Sequence, residues 1–265
     1  MRALLGLWLL CHGWLALAQS DPFPRAAAAY QVEVDGEVVW ARESQRRLAP
    51  ASLTKLMTVL LVAEQGQLQG IATVRQSAAG ETGSRLGLQA GQRFSVEDLL
   101  AAALMASAND ACRALADHLA GNQARFVRRM NQRAQELGMG DTHFVNACGH
   151  DAPGHYSSAQ DLARLAHAVL RYPALGAWAA RAQASIATVD GTARYAFKNS
   201  NALIGRYPGA LGLKTGNTRQ AGNCLVAYAR RGSTQVLLVL LRGANRWWDA
   251  ADILDLAFAH ARDPA

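Results

Sequence analysis

Cysteine is scarce in this 265-residue chain, which has four of them. Beyond Cys11 the chain has Cys112, Cys148 and Cys224. None of these has C-x-x-C spacing or lies in a cluster with histidines, so we expect no metal site, and no motif indicates a cofactor. The chain is too large to need a disulfide scaffold, and an odd number leaves at least one thiol free. We expect buried small side chains rather than nucleophiles, and leave any pairing among the three open.

The chain also lacks internal repeats, low-complexity tracts and, beyond its N-terminus, any run apolar enough to cross a membrane. These absences exclude solenoids and long linkers. The formal net charge of +7 comes from scattered Arg and Lys, not from a basic run interleaved with aromatic residues. This pattern argues against a nucleic-acid partner. It fits a protein that works near an anionic polymer, although a solvated basic surface gives the same pattern.

The N-terminus has the pattern of a secretory signal. In MRALLGLWLLCHGWLALAQS, Arg2 precedes an apolar run that ends in A-L-A at 16–18, a small-x-small cleavage site. An uncleaved anchor is the alternative, but the run is shorter than the roughly 20 residues that span a bilayer. We therefore predict a signal peptide at residues 1–18 and an exported, periplasmic protein with no stable membrane anchor.

Strand patterns lie towards both ends of the chain, and helix patterns lie in the middle. The runs 30–34 and 37–40 flank Asp35 and Gly36, which predicts a hairpin. Further strands are predicted at 184–189, 192–197, 211–215, 223–230 and 234–241. Helices are predicted from Ser52 to Gly66 and at 95–106, 109–120, 123–137, 158–171 and 247–260. The pattern favours an α+β fold, in which both ends of the chain form one antiparallel sheet packed against a helical lobe, with a cleft between them.

The first candidate for chemistry is S-L-T-K, which places Ser52 and Lys55 on the same face of the predicted helix. A serine hydroxyl is a weak nucleophile until a base removes its proton. A desolvated lysine amine can do this because burial lowers its pKa. The start of a helix also brings a backbone N–H and a positive dipole towards the reacting carbonyl. Alone the motif is weak, because an N-cap serine before a surface lysine has the same spacing.

Two further motifs strengthen that interpretation. S-A-N at 107–109 falls between two predicted helices, where both polar side chains can reach a cleft, although a capping turn has the same composition. K-T-G at 214–216 combines a cation, a hydroxyl and a residue without a side chain, which suits a bound carboxylate and a closely approaching substrate backbone. The chain has only three lysines, and two of them fall in these motifs. The joint occurrence is therefore far more specific than any single motif.

S-x-x-K, a Ser-x-Asn element and K-T-G together are the known signature of penicillin-binding proteins and class A β-lactamases. The sequence resembles the low-molecular-mass penicillin-binding proteins, the D-alanyl-D-alanine carboxypeptidase and endopeptidase family. The likeness extends through ASLTKLMT, LLAAALMASANDACRALAD, AQELGMGDTHFVNACGHDAPGHYSSAQDLARLA and YPGALGLKTGNTRQAGNCLVA. It covers residues 27–260, and it implies a β-lactamase/DD-peptidase-like catalytic domain there.

The resemblance also implies a mechanism, in which Ser52 attacks the carbonyl of the penultimate D-Ala of a peptidoglycan stem peptide and water hydrolyses the acyl-enzyme. β-Lactams would be covalent inhibitors. By the same resemblance, Lys55 would be the general base, Ser107 would relay the proton, and Asn109 would contact Lys55 and the substrate amide. Lys214 and Thr215 would bind the substrate carboxylate, and Gly216 would leave room for the substrate. The backbone N–H groups of Ser52 and Asn217 would form the oxyanion hole.

Three positions depart from the family pattern. Asn217 stands where many relatives have His. We expect this substitution to change the reaction rate without removing the function, because only the backbone N–H of this residue takes part. His150 stands where the family usually has Leu, and we expect a loop substitution rather than a catalytic histidine. Ser200 stands where several carboxypeptidases have a basic residue that holds the substrate carboxylate. Arg219 and Arg242 are candidates to replace that basic residue.

The leading function is therefore a serine D-alanyl-D-alanine carboxypeptidase, and the alternative is an endopeptidase that cuts peptide crosslinks. A class A-like β-lactamase is less favoured because it needs a glutamate to activate the deacylating water. Between Asn109 and Lys214 the chain has only Glu136, in a block that we interpret as structural. A non-catalytic wall-binding module is also less favoured, because every motif position is intact.

Overall fold

The protein is described here by a computed structural model that covers residues 21–262. The signal peptide predicted at residues 1–18 lies outside the described residues. The strands are β1 (Ala27–Val34), β2 (Glu37–Arg42), β3 (Ile71–Thr73), β4 (Arg93–Ser95), β5 (Gln183–Ala187), β6 (Arg194–Lys198), β7 (Ala210–Thr218), β8 (Gly222–Arg231) and β9 (Thr234–Gly243). The helices are α1 (Lys55–Glu64), α2 (Gln76–Ala79), α3 (Val96–Met105), α4 (Asn109–Ala120), α5 (Gln123–Glu136), α6 (Ala159–Leu170), α7 (Pro173–Ala179) and α8 (Arg246–His260).

The main sheet joins the two ends of the chain, as predicted. Its strand order is β2-β1-β9-β8-β7, and every neighbouring pair is antiparallel. The predicted hairpin forms between β1 and β2, and Asp35 and Gly36 in its turn both have positive φ, 50° and 91°. Such angles match the right-handed twist of the flanking strands. The pairing of β1 with β9 closes the domain and leaves β7 as an edge strand.

The two faces of the sheet bury different cores, as the period of two along each strand requires. On β9, Leu238 and Leu240 pack with α8, and on the same face β1 contributes Tyr30. The alternate residues of β9, including Val239 and Leu241, face the helical lobe. Alternation along single strands therefore separates the α8 layer from the helical lobe, and the α+β fold class is confirmed.

Helix α1 lies at the centre of the helical lobe. It contacts α3, α4, α5 and α6, and eight of its ten residues are buried, Lys55 among them. A helix that is apolar on all sides is stable only when it is buried on all sides. A short 3₁₀ turn, Ala51–Thr54, precedes α1, so the helical segment predicted from Ser52 begins as 3₁₀ and becomes α-helical at Lys55.

Four short elements were not predicted from the sequence. They are β3, β4, α2 and α7, the longest of which has seven residues. The strands predicted at 184–189 and 192–197 form a separate two-stranded sheet, β5 with β6. Two of the three cysteines beyond residue 20, Cys112 and Cys148, form a disulfide, while Cys224 is buried and free.

The loop that carries Cys148 packs directly on the turn that begins α1. Gly149 has a φ of +87°, and a Cβ at this position would lie 2.9 Å from the backbone nitrogen of Ser52 and would overlap the carbonyl group of Ala51. Glycine is therefore required here both by conformation and by close approach of two backbones.

We predict that Gly149→Ala destabilises the protein much more than Gly138→Ala. Gly138 has a comparable φ of +71° but has no atom within 4 Å of an added Cβ. Left-handed strain of about 1 kcal/mol applies to both variants, whereas overlap adds roughly 1–3 kcal/mol only at Gly149. Thermal unfolding measures the difference. Equal losses of Tm in the two variants would contradict this account of the loop.

Candidate active site

Ser52 lies half-buried in the 3₁₀ turn, between the glycine-containing loop and strand β7. The turn is held in an unusual conformation, because Ala51 has a positive φ of 49° although it is not glycine. Such backbone strain persists only where the surrounding structure enforces it, and it is common at functional sites. The Oγ of Ser52 lies 3.0 Å from the Nζ of Lys55, so the predicted pair is in contact.

Lys55 is fully buried and its amine has three hydrogen-bond partners. Besides Ser52 Oγ, these are Asn109 Oδ1 at 2.7 Å and the carbonyl oxygen of Cys148 at 2.6 Å. Burial lowers the pKa of Lys55 to about 7, against the opposing effect of the Glu81 and Asp110 carboxylates. A substantial fraction of the amine is therefore neutral near pH 7 and can accept a proton from Ser52.

Asn109 is the first residue of α4, and its position is set by three hydrogen bonds. Its Oδ1 accepts from Lys55, its Nδ2 donates to the carbonyl of Thr82 at 2.5 Å, and its backbone N–H donates to the carbonyl of Ser84 at 2.7 Å. Ser107 is buried and has a positive φ of 60° in the link between α3 and α4. The hydrogen-bonded cluster brings together Ser52, Lys55 and Asn109, and Ser107, two residues before Asn109, makes no hydrogen bond to this cluster.

The K-T-G motif lies on the edge strand β7, and Lys214 within it is 1% exposed. Burial lowers the pKa of Lys214 well below its ordinary value, and the nearby positive charges of Lys55 and Arg246 lower it further. Its Nζ donates to the carbonyl of Thr215 at 2.9 Å. Lys55, Lys214 and Arg246 thus lie close together, and this group of basic side chains favours an anionic ligand near Ser52.

Thr215 and Gly216 complete this end of the cleft. Thr215 Oγ1 lies 2.8 Å from the Oγ of Ser200, so the residue that stands in place of a basic side chain is in contact with the motif. A Cβ at Gly216 would lie 3.1 Å from the Cβ of Ala51 and 3.2 Å from the backbone nitrogen of Ser52. The missing side chain therefore lets β7 approach the turn that carries Ser52.

Arg246, at the start of α8, is a residue that the sequence did not single out. Its Nη1 donates to the carbonyl of Gly216 at 2.7 Å. Of the two arginines considered from the sequence, Arg242 donates to the carbonyl of Gln220 at 2.8 Å instead. The side chain of Asn217 points across to β8, where its Nδ2 donates to Asn223 Oδ1 at 2.9 Å.

His150 takes part in a network of hydrogen bonds and ion pairs around Glu81. Its Nε2 lies 2.7 Å from Glu81 Oε2, and Glu81 also pairs with Arg113 at 3.3 Å, which in turn pairs with Asp117 at 3.1 Å. Burial acts to raise the pKa of Glu81, but its hydrogen bonds with His150 and Arg113 hold that pKa below its ordinary value. His150 therefore contacts a carboxylate, and within the described residues it has no hydrogen bond to Ser52 or Lys55.

Asp110 on α4 is a fully buried carboxylate that the sequence did not single out. It accepts hydrogen bonds from the backbone N–H groups of Leu86, Gly87 and Leu88, at distances of 2.8–3.2 Å. These bonds tie the segment before β4 to the start of α4. The same segment also contacts the site, because the carbonyls of Thr82 and Ser84 accept hydrogen bonds from Asn109.

Over residues 21–262, no group of three or more His, Cys, Asp or Glu side chains is arranged to hold a metal ion. No helix in that part of the chain combines the length and the apolar character needed to cross a membrane. The site consists of a serine, an amine with three fixed partners, the buried amine of Lys214 and the partly buried guanidinium of Arg246.

Curated relatives are similar to this chain over most of its length. DacF of Bacillus subtilis, named a D-alanyl-D-alanine carboxypeptidase, is 34% identical over 97% of this chain and 69% of its own length. DacD of Escherichia coli, with the same activity in its name, is 36% identical over 84% of this chain and 61% of its own. A protein of Pseudomonas aeruginosa named D-alanyl-D-alanine endopeptidase is 31% identical over 95% of this chain and 85% of its own.

Solved structures of related enzymes have the same fold. The Streptomyces K15 DD-transpeptidase superposes with a TM-score of 0.82 at 28% identity, covering 89% of this chain and 98% of that one. Penicillin-binding protein D2 of Listeria monocytogenes in its ampicillin-bound form gives a TM-score of 0.77 at 30% identity, with the same coverage. The sequence family described as D-alanyl-D-alanine carboxypeptidase matches residues 17–245. The chain belongs to this family of serine peptidases.

Proposed function

We propose that the protein is an exported serine D-alanyl-D-alanine carboxypeptidase that removes the terminal D-Ala of peptidoglycan stem peptides. The observation that carries this proposal is the 3.0 Å contact between Ser52 Oγ and the buried amine of Lys55, close to the basic groups of Lys214 and Arg246. A hydroxyl beside a base suits acyl transfer, and basic groups suit a substrate that ends in a carboxylate. The catalytic domain would comprise residues 27–260.

In the proposed acylation step, the neutral amine of Lys55 takes the hydroxyl proton as Ser52 Oγ attacks the carbonyl of the penultimate D-Ala. The backbone N–H groups of Ser52 and Asn217 stabilise the oxyanion. The proton on Lys55 is relayed through Ser107 to the leaving amine, which leaves Lys55 neutral again, the C–N bond breaks, and the terminal D-Ala departs. The acyl group remains as an ester on Ser52 until water hydrolyses it.

Substrate binding would use the end of the cleft where positive charge is concentrated. Lys214 and Thr215 would bind the terminal carboxylate, and Gly216 would let the substrate backbone lie along β7. Asn109 would contact the substrate amide as well as Lys55. The burial of Lys214 supports this arrangement, because an incoming carboxylate would stabilise the protonated form of a desolvated amine.

The same site would be acylated by β-lactams, as ampicillin binds the related Listeria protein. Release should be slow, because the site has no carboxylate suited to activate the deacylating water. Glu136 lies on α5 and pairs with Arg133 at 2.9 Å, and it is not part of the hydrogen-bonded cluster of Ser52, Lys55 and Asn109. Glu81 is nearer to Lys55, but it is engaged by His150 and Arg113, and its lowered pKa makes it a weak base.

Export is part of the proposal. The family acts on the cell wall, outside the cytoplasm. The disulfide between Cys112 and Cys148 is typical of an oxidising compartment. The signal peptide proposed for residues 1–18 would direct the protein there.

We predict that a labelled penicillin attaches covalently to the wild-type protein and not to Ser52→Ala. Removing the hydroxyl removes the atom that forms the ester, while the small substitution leaves the fold intact. Gel fluorescence and intact mass measure the attachment. Pretreatment with unlabelled penicillin is the control and should abolish the signal. Equal labelling of Ser52→Ala would show that a different residue is acylated.

We predict that the acylation rate rises with pH through about 7, where the Lys55 amine becomes neutral. Below this pH the rate should fall by about tenfold per pH unit, because only the neutral amine accepts the proton. Lys55→Arg should lose the reaction, since a guanidinium stays protonated. The matched control is Lys198→Ala, in the exposed third lysine, which should keep the wild-type profile. A flat profile down to about pH 5 would be inconsistent with Lys55 as the base.

We predict that digestion of purified peptidoglycan releases free D-Ala from pentapeptide stems. The alternative, suggested by the endopeptidase relative of P. aeruginosa, is cleavage of crosslinks. Chromatography and mass spectrometry of the muropeptides separate the two activities. Loss of dimeric muropeptides without release of D-Ala would replace the carboxypeptidase by the endopeptidase.

A further inference from the structure

The disulfide between Cys112 and Cys148 lies against the groups that hold the Lys55 amine. Cys112 follows Asn109 by one turn of α4, and the Cα atoms of the two cysteines are 6.0 Å apart. Cys148 provides both a sulfur to the disulfide and the carbonyl oxygen that accepts from Lys55 Nζ at 2.6 Å. The disulfide therefore joins α4, which provides the Asn109 acceptor of Lys55, to the loop that provides the Cys148 acceptor.

A neutral amine has two N–H donors and one lone pair. The two acceptors outside the Ser52 turn, Asn109 Oδ1 at 2.7 Å and Cys148 O at 2.6 Å, match the two donors. When both bonds are made, the lone pair is left for the third partner, the Ser52 hydroxyl at 3.0 Å. The direction in which the base acts thus depends on the positions of both acceptors.

These two acceptors are fixed in different ways. Asn109 is held by the carbonyl of Thr82 and by its place at the start of α4. The Cys148 carbonyl belongs to a loop, in which Asn146 Oδ1 accepts from the backbone N–H groups of Cys148 at 3.2 Å and Gly149 at 2.7 Å. Those bonds shape the turn internally. The disulfide is the covalent link from this turn to α4.

We propose that the Cys112–Cys148 disulfide is a positioning element for acylation, which holds the Cys148 carbonyl on Lys55 and so directs the lone pair of the amine at Ser52. The proposal rests on the proposed acylation of Ser52. Neither sulfur touches the reacting atoms. Both cysteines act through Lys55, and any residue at position 148 would keep the backbone carbonyl itself.

Breaking the disulfide should therefore change the behaviour of the base without removing an atom from the cluster. Reduction adds two electrons and two protons and leaves two thiols. The carbonyl then gains freedom to move away from Lys55, and water gains access to the amine. Lower desolvation raises the pKa of a lysine, so the neutral fraction near pH 7 falls. Acylation should become slower, and the pH at which it reaches half its maximum should rise.

The test compares acylation by a labelled penicillin, from about pH 5 to about pH 9, in oxidised and phosphine-reduced wild-type protein. Cys112→Ala, Cys148→Ala and the double variant are measured in parallel. We expect each to acylate about tenfold more slowly near pH 7, with a higher half-maximal pH. The double variant should match the single variants and be insensitive to the reductant. Cys224→Ala is the matched control and should keep the response to the reductant.

Thiol titration and circular dichroism accompany the kinetics. Reduction should expose two additional thiols in the denatured protein while the far-UV spectrum of the folded protein is retained. No gain of thiols would overturn the proposal, as would an unchanged rate and pH profile after the gain. A loss of rate that is the same at every pH would also overturn it, because it would indicate a purely structural bond. Failure of the oxidised wild type to acylate would count against the proposed function instead.

Discussion

The hydrogen bonds to the buried amine of Lys55 are the interaction on which the site depends. A cation with no solvent contact is costly unless it is paired or loses its charge, and here three oxygens surround it. The oxygens come from the turn before α1, from the start of α4 and from the loop that contains Cys148. The helical lobe must therefore place three distant parts of the chain around one nitrogen, and the same burial that makes this costly also makes the amine a base near neutral pH.

The sheet supplies the groups that face the Ser52 turn from the other side. Edge strand β7 approaches the Ser52 turn because Gly216 has no side chain, and Arg246 from α8 fixes the carbonyl of that glycine at 2.7 Å. Lys214 lies buried in the same strand. Nucleophile and base thus belong to the helical lobe, whereas Lys214 belongs to the sheet and Arg246 to α8, which packs on the sheet.

The sequence predicted the fold class, the main sheet and the long helices because their apolar periods are strong and their turns carry glycine. It missed β3, β4, α2 and α7, which are too short to show a period. In the site, Ser52, Lys55 and Asn109 were predicted from their motifs and lie in contact. The Cys148 carbonyl could not be predicted, because every residue has a backbone carbonyl and its role does not depend on the side chain. Glu81 and Arg246 could not be predicted either, because only tertiary packing brings them to the site.

Lys55 is a buried amine that loses its proton near neutral pH. The chain has three lysines, so NMR titration of lysine side chains labelled with carbon-13 can follow each one, and Lys55→Arg identifies the Lys55 signal. We expect this signal to titrate at about 7 in the oxidised protein. Titration above about 10, as for a lysine in water, would contradict it.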